Sequence, residues 1–474
     1  MKEIRLTLCI VFCFVQLPGS LSHKEEECIE VGFARSSYLT VDQGYKAAKE
    51  DLVSLWQNED KVGNPSYRDF SPQTKNVTRA AILLEETSKN IIGLIRKTRV
   101  GKRCREEWLL KGIEKHVTPL IQLDKDFAEG LGLVMSFRCL VGSPFPNVDG
   151  TCINEEGPDM GAIGAKFLRL LSPTPGQGGF TLRGSSDKEK SLPSAREVGK
   201  VIRSHLQKPS VTALLTEFSH FIASDSFSIP ESPRVENINC CENPDHIDCA
   251  PIFLEKEDPM YSTIKCFNFK RSAPAQAILG NRESLSMIST YLDATPIYGA
   301  TNEIAFKLKE GYFGYLNCVN IICFKYRYPT SIDDTEDSNA KKKKNKCEFP
   351  NSFKGCFNLD PNESYYILRM NNDTENLRLL LILEHNYLAE ILAEINPHFD
   401  DALLYNEARR ILIAQYNAII YGEFVPLLVG EELAKKHNLL PGSEGPAVRF
   451  IPEVNPGILT SFALAAYRNP AVDG

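Results

Sequence analysis

The stretch Phe218-Ser219-His220-Phe221-Ile222-Ala223-Ser224-Asp225 decides how the rest of this sequence is interpreted. His220 and Ser224 have the i, i+4 spacing that places two side chains on one face of an α-helix. An imidazole can accept a proton near neutral pH, whereas the hydroxyl of Ser224 is not basic there. His220 is therefore either a candidate base or a histidine that lies on this face by chance.

The composition is that of an ordinary globular protein. The chain has 474 residues, of which 43% are hydrophobic and 24% charged, enough for one large domain or two to three smaller ones. A net charge of -7 without a recurring basic face predicts no binding to nucleic acid. After the N-terminus no segment has the roughly 20 consecutive apolar residues of a transmembrane helix, so no membrane span is predicted.

The N-terminus has the three parts of a secretory leader. The charged start Met1–Arg5 precedes the mostly apolar run Leu6–Leu17 and the small-residue exit Pro18–Ser22. This apolar run is too short to span a bilayer. A buried N-terminal helix is the alternative. We expect residues 1–22 to be a signal peptide and the mature protein to be secreted and extracellular.

Cysteines and sequons agree with export. Of 14 cysteines, Cys9 and Cys13 lie in the leader, which leaves an even number in the mature chain. An even count in an exported chain predicts disulfide bonds, and no C-x-x-C pair indicates a zinc or redox motif. Sequons at Asn76, Asn362 and Asn372 permit N-glycosylation.

Apolar residues recur at helical spacing over much of the chain, without internal repeats and with few convincing strands. The predicted fold class is therefore mainly α. Residues 23–135 are expected to form a helical N-terminal arm or propeptide-like region, followed by a second domain over 136–474. The helices are predicted over Tyr45–Trp56, Ala80–Ile95, Trp108–Leu133, Leu377–Ile395 and Leu403–Ile420.

A series of short motifs runs from residue 139 to residue 468. They are Phe145–Asn154, Met160–Leu171, Leu192–Val198, the double-cysteine loop Cys240–Cys249 with Cys266, Lys270–Ala275, Tyr291–Gly299, Glu384–Ala389 and Tyr405–Ile411. In this order they resemble the animal haem peroxidase family, whose members include myeloperoxidase, peroxinectin and the chorion peroxidases. The resemblance implies a mainly α, haem peroxidase-like fold with disulfide-braced loops. It also implies the pairs Cys139–Cys152, Cys240–Cys249 and Cys241–Cys266.

The opening stretch resembles the family's distal motif W-G-Q-x-x-D-H-D. In this alignment His220 falls at the glutamine and Ala223 at the aspartate that is esterified to haem. Ser224 falls at the distal histidine, and Asp225 matches the final aspartate, a calcium ligand in the family. His220, one helical turn before Ser224, is the candidate for a relocated base.

The remaining positions for haem chemistry are also changed. Arg369 is the candidate for the family's distal arginine, and in that register Asn372 replaces the second esterified glutamate. The proximal histidine of A-A-Y-R-F-G-H aligns with Ala471, so either the sequence is a fragment that diverges at its end, with the peroxidase domain incomplete at the C-terminus, or iron ligation has been lost. His385, in the family's E-H-N motif, is expected to be a packing residue on a core helix.

The positions of the family's calcium site are better preserved in this sequence than those of its haem site. The resemblance places its ligands at Asp225, Ser289, the carbonyl of Tyr291, Asp293 and Thr295. Two carboxylates with hydroxyl and carbonyl oxygens suit a hard cation such as calcium. Asp293 can alternatively cap a helix or turn.

These observations favour a secreted peroxidase-like protein without turnover, retained as an extracellular binding or matrix-type scaffold. Calcium is the expected cofactor, and haem is implied by the resemblance alone. The alternative is an active haem peroxidase that oxidises small donors with hydrogen peroxide. The partner is an unknown extracellular molecule or matrix.

Overall fold

A computed structural model of the chain describes residues 23–30, 42–52, 56, 72–117, 139, 144–171, 173–174, 176, 180–184, 192–204, 212–256, 258–261, 263–275, 279–316, 372–441 and 451–466. The predicted leader, residues 1–22, lies outside these ranges, as do Asn362, Arg369 and Ala471. The side chain of Asn372 is also outside the description.

The predicted mainly α class is confirmed. Within the described ranges the one sheet is a short antiparallel pair, β1 (Ile252–Phe253) and β2 (Cys266–Phe267), with Ile252 opposite Phe267. Residues 42–52 are also helical. The helices used below are α1 (His23–Glu30), α2 (Pro72–Ile95), α3 (Glu106–Gly112), α4 (Ala195–Ser204), α5 (Ala213–Ser226), α6 (Thr295–Tyr298), α7 (Asn302–Leu308), α8 (Asn372–Ile395), α9 (Asp401–Ile419), α10 (Val425–Val429) and α11 (Glu431–Lys436).

The largest hydrophobic core lies where α5, α8 and α9 pack together with α6. α9 begins where the carboxylate of Asp400 accepts a hydrogen bond from the Leu403 amide at 2.8 Å, which satisfies one of the free amides of its first turn. A π-helical turn, Ile420–Phe424, follows α9. The helices predicted over 377–395 and 403–420 are therefore present, and α8 starts at Asn372, before its first predicted residue.

The N-terminal arm, defined here as residues 23–117, packs around α2 and α3 in a hydrophobic core that Phe180 and Leu279 also join. Buried side chains of α2 pack against Leu109 and Leu110 of α3 and against Cys28 of α1. α2 starts at Pro72, eight residues before the predicted start at Ala80. The helix predicted over 108–133 is shorter within the described part: α3 ends at Gly112, a π-helical turn runs to Val117, and the rest lies outside the description.

Disulfide bonds tie the loops as predicted. Cys139–Cys152, Cys240–Cys249 and Cys241–Cys266 are all present. A fourth bond, Cys28–Cys104, joins α1 to the segment before α3. The sequence did not indicate this pair, because a count of cysteines does not determine connectivity.

In the described ranges one helical run, Asp401–Val429, is long and apolar enough to cross a membrane by length and composition, and 22% of its apolar stretch is buried. Core helices of soluble proteins pass the same test. Leu404, Leu412 and Tyr416 are buried in the core on this run. The absence of a membrane span therefore stays a prediction.

Candidate functional site

The site is built on α5, which is capped at its first turn and packs against α9. At its start the Thr212 hydroxyl accepts a hydrogen bond from the Leu215 amide at 3.3 Å. Phe218 and Phe221 meet the ring of Tyr416 edge-on, with centroids 6.1 and 5.7 Å apart. This packing against α9 brings Asp225, near the end of α5, into the protein interior, where it is fully buried.

Ser224 and Ala223, which the resemblance aligns with the distal histidine and the esterified aspartate, have side chains engaged in local contacts. The Ser224 hydroxyl donates a hydrogen bond to the Phe221 carbonyl at 2.7 Å, within the same helix. Ala223 packs in an apolar cluster with Phe167, Phe227 and Ala463. Neither position offers a base or a carboxylate.

His220 lies on α5 beside an acidic residue. Its Nδ1 is 3.7 Å from Glu217 Oε2, and 35% of the imidazole is exposed. The same Glu217 oxygen accepts a hydrogen bond from the Thr374 hydroxyl at 2.8 Å, at the start of α8. The structure therefore places His220 next to a carboxylate, which is the usual way to orient an imidazole. An i, i+3 pair on a helix surface has the same geometry without any chemical role.

The predicted calcium positions come together at the junction between α5 and α6. Asp225 accepts hydrogen bonds from the amides of Thr295 and Ala294 at 2.6 and 3.2 Å. Asp293 Oδ1 accepts one from the Thr295 hydroxyl at 2.7 Å. Ser289 Oγ accepts the Tyr291 amide at 3.1 Å, and the Tyr291 carbonyl accepts the Asp293 amide at 2.9 Å. All five positions thus belong to one connected loop–helix junction.

The electrostatics of this junction are unfavourable for two bare carboxylates. Burial and the neighbouring charge of Asp293 raise the pKa of Asp225 well above its usual value. Burial also raises the pKa of Asp293, although hydroxyl groups of Thr295 and Ser289 oppose the change. Asp293 Oδ2 is buried, and the described residues give it no hydrogen-bond partner. A cation at this point would complete the coordination of Oδ2 and relieve the repulsion.

Asp293 also has the local role that the alternative interpretation gave it. Its Oδ1 holds the hydroxyl of Thr295, the first residue of α6, while Ala294 between them has a left-handed backbone with φ of 60°. The amide of Thr295 goes to Asp225 instead. The turn is therefore shaped by both carboxylates, and this use leaves Asp293 Oδ2 available.

His385 occupies the core as predicted. It is fully buried, with Nδ1 2.9 Å from the Tyr298 hydroxyl and Nε2 3.0 Å from the Gly314 carbonyl. Because a carbonyl only accepts, Nε2 carries the proton and Tyr298 donates to Nδ1. Both ring nitrogens are thus engaged by protein groups.

Comparison with known proteins identifies the class. The sequence model of the family described as animal haem peroxidase matches residues 145–472, so the chain belongs to the animal haem peroxidase family. The chain is 30% identical over 359 residues to chorion peroxidase of Drosophila melanogaster, covering 70% of this chain and 42% of that protein. Lactoperoxidase of Mesocricetus auratus is 27% identical over 397 residues, covering 74% of this chain and 53% of that protein.

The chain spans about half or less of these relatives' lengths. Among solved structures, peroxidase A from Dictyostelium discoideum matches with a TM-score of 0.46 and 18% identity, over 69% of this chain and 59% of that one.

The described residues do not fit haem chemistry on the distal side. The family implies haem, yet Ser224 and Ala223 supply neither the base nor the ester carboxylate. The part of the chain that the structure describes holds no group of three or more His, Cys, Asp or Glu arranged for a metal ion. The calcium positions contain only two carboxylates, and the other three ligands would be hydroxyl or carbonyl oxygens.

One cluster near the arm gave no signal in the sequence. Glu85 of α2 is buried against Arg234, Arg282 and Asp248 of the second domain. These residues belong to separate segments and form no motif, so only the folded chain brings them together.

Proposed function

We propose that this chain is a secreted, extracellular protein with the animal haem peroxidase fold, which acts as a binding or matrix-type scaffold and does not turn over peroxide. The observation that carries the proposal is the state of Ser224. It stands at the distal histidine position, and its hydroxyl is directed back to the carbonyl of Phe221 in its own helix.

Peroxide cleavage needs a group that removes a proton from one oxygen and returns it to the departing oxygen. A serine hydroxyl is not basic near neutral pH, and that of Ser224 donates its proton to the Phe221 carbonyl. Haem, when bound in such a fold, supplies the oxidising iron centre. In this chain neither Ser224 nor Ala223 provides a proton transfer to accompany it.

The scaffold part of the proposal rests on the calcium positions. Asp225 and Asp293 are both buried, and the charge of Asp293 raises the pKa of Asp225. Asp293 Oδ2 has no hydrogen-bond partner among the described residues. We infer that calcium binds Asp225, Ser289, Tyr291, Asp293 and Thr295 and ties α5 to α6. Its role is structural, because it stabilises the junction whether or not the neighbouring distal positions carry reactive groups.

Export is supported by three features. The leader-like residues 1–22 precede the arm, and four disulfide bonds lie in the described part of the chain. Asn76 of the first sequon is exposed on α2, so it is accessible to a glycan. The partner is an extracellular molecule or matrix.

Turnover is the decisive test. The full chain, secreted and purified, is titrated with hemin while the Soret band is recorded, then assayed with hydrogen peroxide and guaiacol. We expect a rate no higher than that of the same amount of free hemin. A known haem peroxidase serves as the positive control.

The runner-up function is an active peroxidase that uses His220 as a relocated base, and the pairing of His220 with Glu217 favours it. His220→Gln and Ser224→Ala separate the two cases. Hemin-dependent turnover well above free hemin that is lost in His220→Gln and kept in Ser224→Ala overturns the scaffold proposal.

A further inference from the structure

A buried ion cluster joins the N-terminal arm to the second domain. Glu85, on the inner face of α2, is fully buried. Nη2 of Arg234 donates to its two carboxylate oxygens at 3.2 and 3.3 Å, and Nη1 of Arg282 lies 3.6 Å from Oε2. Both guanidinium groups come from the second domain. The arm contributes Glu85 together with Lys89, whose Nζ lies 3.1 Å from Glu85 Oε1, and Glu86, which accepts Nη1 of Arg234 at 3.3 Å.

The second domain presents these arginines in a fixed position. Asp248 accepts Nε of Arg234 at 2.5 Å and also hydrogen-bonds Nη1 of Arg282. Nη2 of Arg282 donates to the Ser272 carbonyl at 2.5 Å. The two guanidinium groups are thus held by Asp248 from behind and directed towards the arm.

The arm reduces an excess of positive charge at this point of the second domain. Among the described residues of the second domain, the cluster contains one carboxylate, Asp248, against the guanidinium groups of Arg234, Arg271 and Arg282. Burial opposes the charge of Glu85, but Arg234, Arg282 and Lys89 together outweigh it and lower its pKa. An uncompensated buried charge is far more unfavourable than a paired one, so the second domain needs the carboxylate that the arm supplies.

Apolar and backbone contacts surround the ion cluster. Leu84 and Ile91 of α2 share a hydrophobic core with Phe180 and Leu279 of the second domain. Ser88 Oγ accepts a hydrogen bond from the Gly280 amide at 3.2 Å, one turn from Glu85. These contacts bury Glu85, Asp248 and Arg282, while Arg234 keeps 19% of its side chain exposed. Charge pairs are stronger in such a low-dielectric setting than at the surface.

No described disulfide crosses between the two parts. Cys28 and Cys104 of the arm pair with each other, and the other three described bonds lie within residues 139–266. Among the described residues, the side-chain contacts between the arm and the second domain are therefore all non-covalent.

We propose that the arm, residues 23–117, is a permanent partner of the second domain, and that Arg234 and Arg282 form the receptor for its Glu85. A propeptide-like segment that is merely removed during maturation does not need a buried counter-charge. Cleavage of the chain between the arm and the second domain leaves the two pieces bound, and loss of the arm uncovers Arg234, Arg282 and the apolar side chains of Phe180 and Leu279.

The test uses the full chain with a specific protease site inserted after Leu123 and a C-terminal affinity tag. The cleaved protein is immobilised and washed without reductant at about 150 mM salt, where exposed charges are screened. The arm retained on the support is measured over time. We expect the arm to remain bound. Its prompt release from the cleaved protein that carries no further substitution overturns the proposal.

Matched variants test the receptor. Glu85→Gln removes the buried charge and is expected to speed dissociation of the cleaved arm at least about 100-fold. Glu30→Gln removes a carboxylate of the arm that pairs with Lys115 on its surface, and should leave the rate unchanged. Equal rates in both variants overturn the assignment of Arg234 and Arg282 as the receptor.

If Glu85→Gln does not fold, Ser88→Ala takes its place. It removes the acceptor for the Gly280 amide without altering charge, and an increase of about 10-fold in the dissociation rate is expected. An unchanged rate contradicts the interface.

Discussion

His385 gives a pH-dependent prediction that tests its assignment to the core. Burial lowers its pKa to about 4 from 6.5, and the charges of Arg409 and Lys309 act in the same direction, against the hydrogen bond to Gly314. In the unfolded chain the imidazole is protonated below its ordinary pKa. The unfolded state therefore binds more protons than the native state between these two values, and stability is lost as pH falls through this window.

The size of the effect follows from the two pKa values. Relative to about pH 7, the difference in protonation lowers the free energy of unfolding by roughly 2 kcal/mol at about pH 5, and by about 3 kcal/mol once both states are protonated. His385→Gln keeps an amide donor for the Gly314 carbonyl and an acceptor for Tyr298, but it does not titrate. The variant is expected to be less stable at neutral pH and to lack this slope.

Urea unfolding at a series of pH values measures the effect. The difference in unfolding free energy between the native sequence and His385→Gln should shrink by about 2 kcal/mol between about pH 7 and pH 5. His398→Gln, which replaces an exposed histidine just after α8, is the matched control. Parallel curves for the native sequence and His385→Gln would refute the buried, neutral assignment.

Three further changes test other parts of the structure. Added calcium should raise the melting temperature of the native sequence but not of Asp293→Ala, and an equal rise in both contradicts the calcium site. Asp400→Ala removes the cap of α9, so urea unfolding should show a loss of about 1 kcal/mol, and an unchanged midpoint speaks against the cap. Gly314→Ala places a Cβ 2.5 Å from the Tyr405 amide at a φ of 67°, so a loss above about 2 kcal/mol is expected, and native-like stability contradicts this backbone geometry.

Local patterns were the part of the fold that could be predicted. Helical spacing located α8 and α9, but it missed the first turn of α8 because that turn begins with polar residues rather than with the apolar stripe. The pair Cys240–Cys249 is only 9 residues apart and lies in a recognisable loop. Cys28–Cys104 spans 76 residues, and nothing in the sequence specifies which distant cysteine meets another.

The receptor for the arm was beyond sequence reasoning for a physical reason. In the sequence Glu85 is one of several acidic residues on an amphipathic helix, and such residues are usually exposed to solvent. Its burial is compensated by Arg234 and Arg282, which are far from it in sequence and are held by Asp248 in the folded chain. Long-range charge pairs of this kind leave no periodic signal.

Substitutions at neighbouring positions on α5 differ in how much folding stability they remove. Serine at 224 satisfies its own hydroxyl on Phe221, and alanine at 223 fits an apolar cluster, so neither leaves a buried polar group without a partner. Removing Asp225 would instead orphan the amides of Ala294 and Thr295, which it accepts at 3.2 and 2.6 Å. A buried donor without a partner is costly to the folded state, whereas a missing base affects only reaction chemistry. Folding stability alone therefore constrains Asp225, while positions 223 and 224 are free to change once turnover is no longer required.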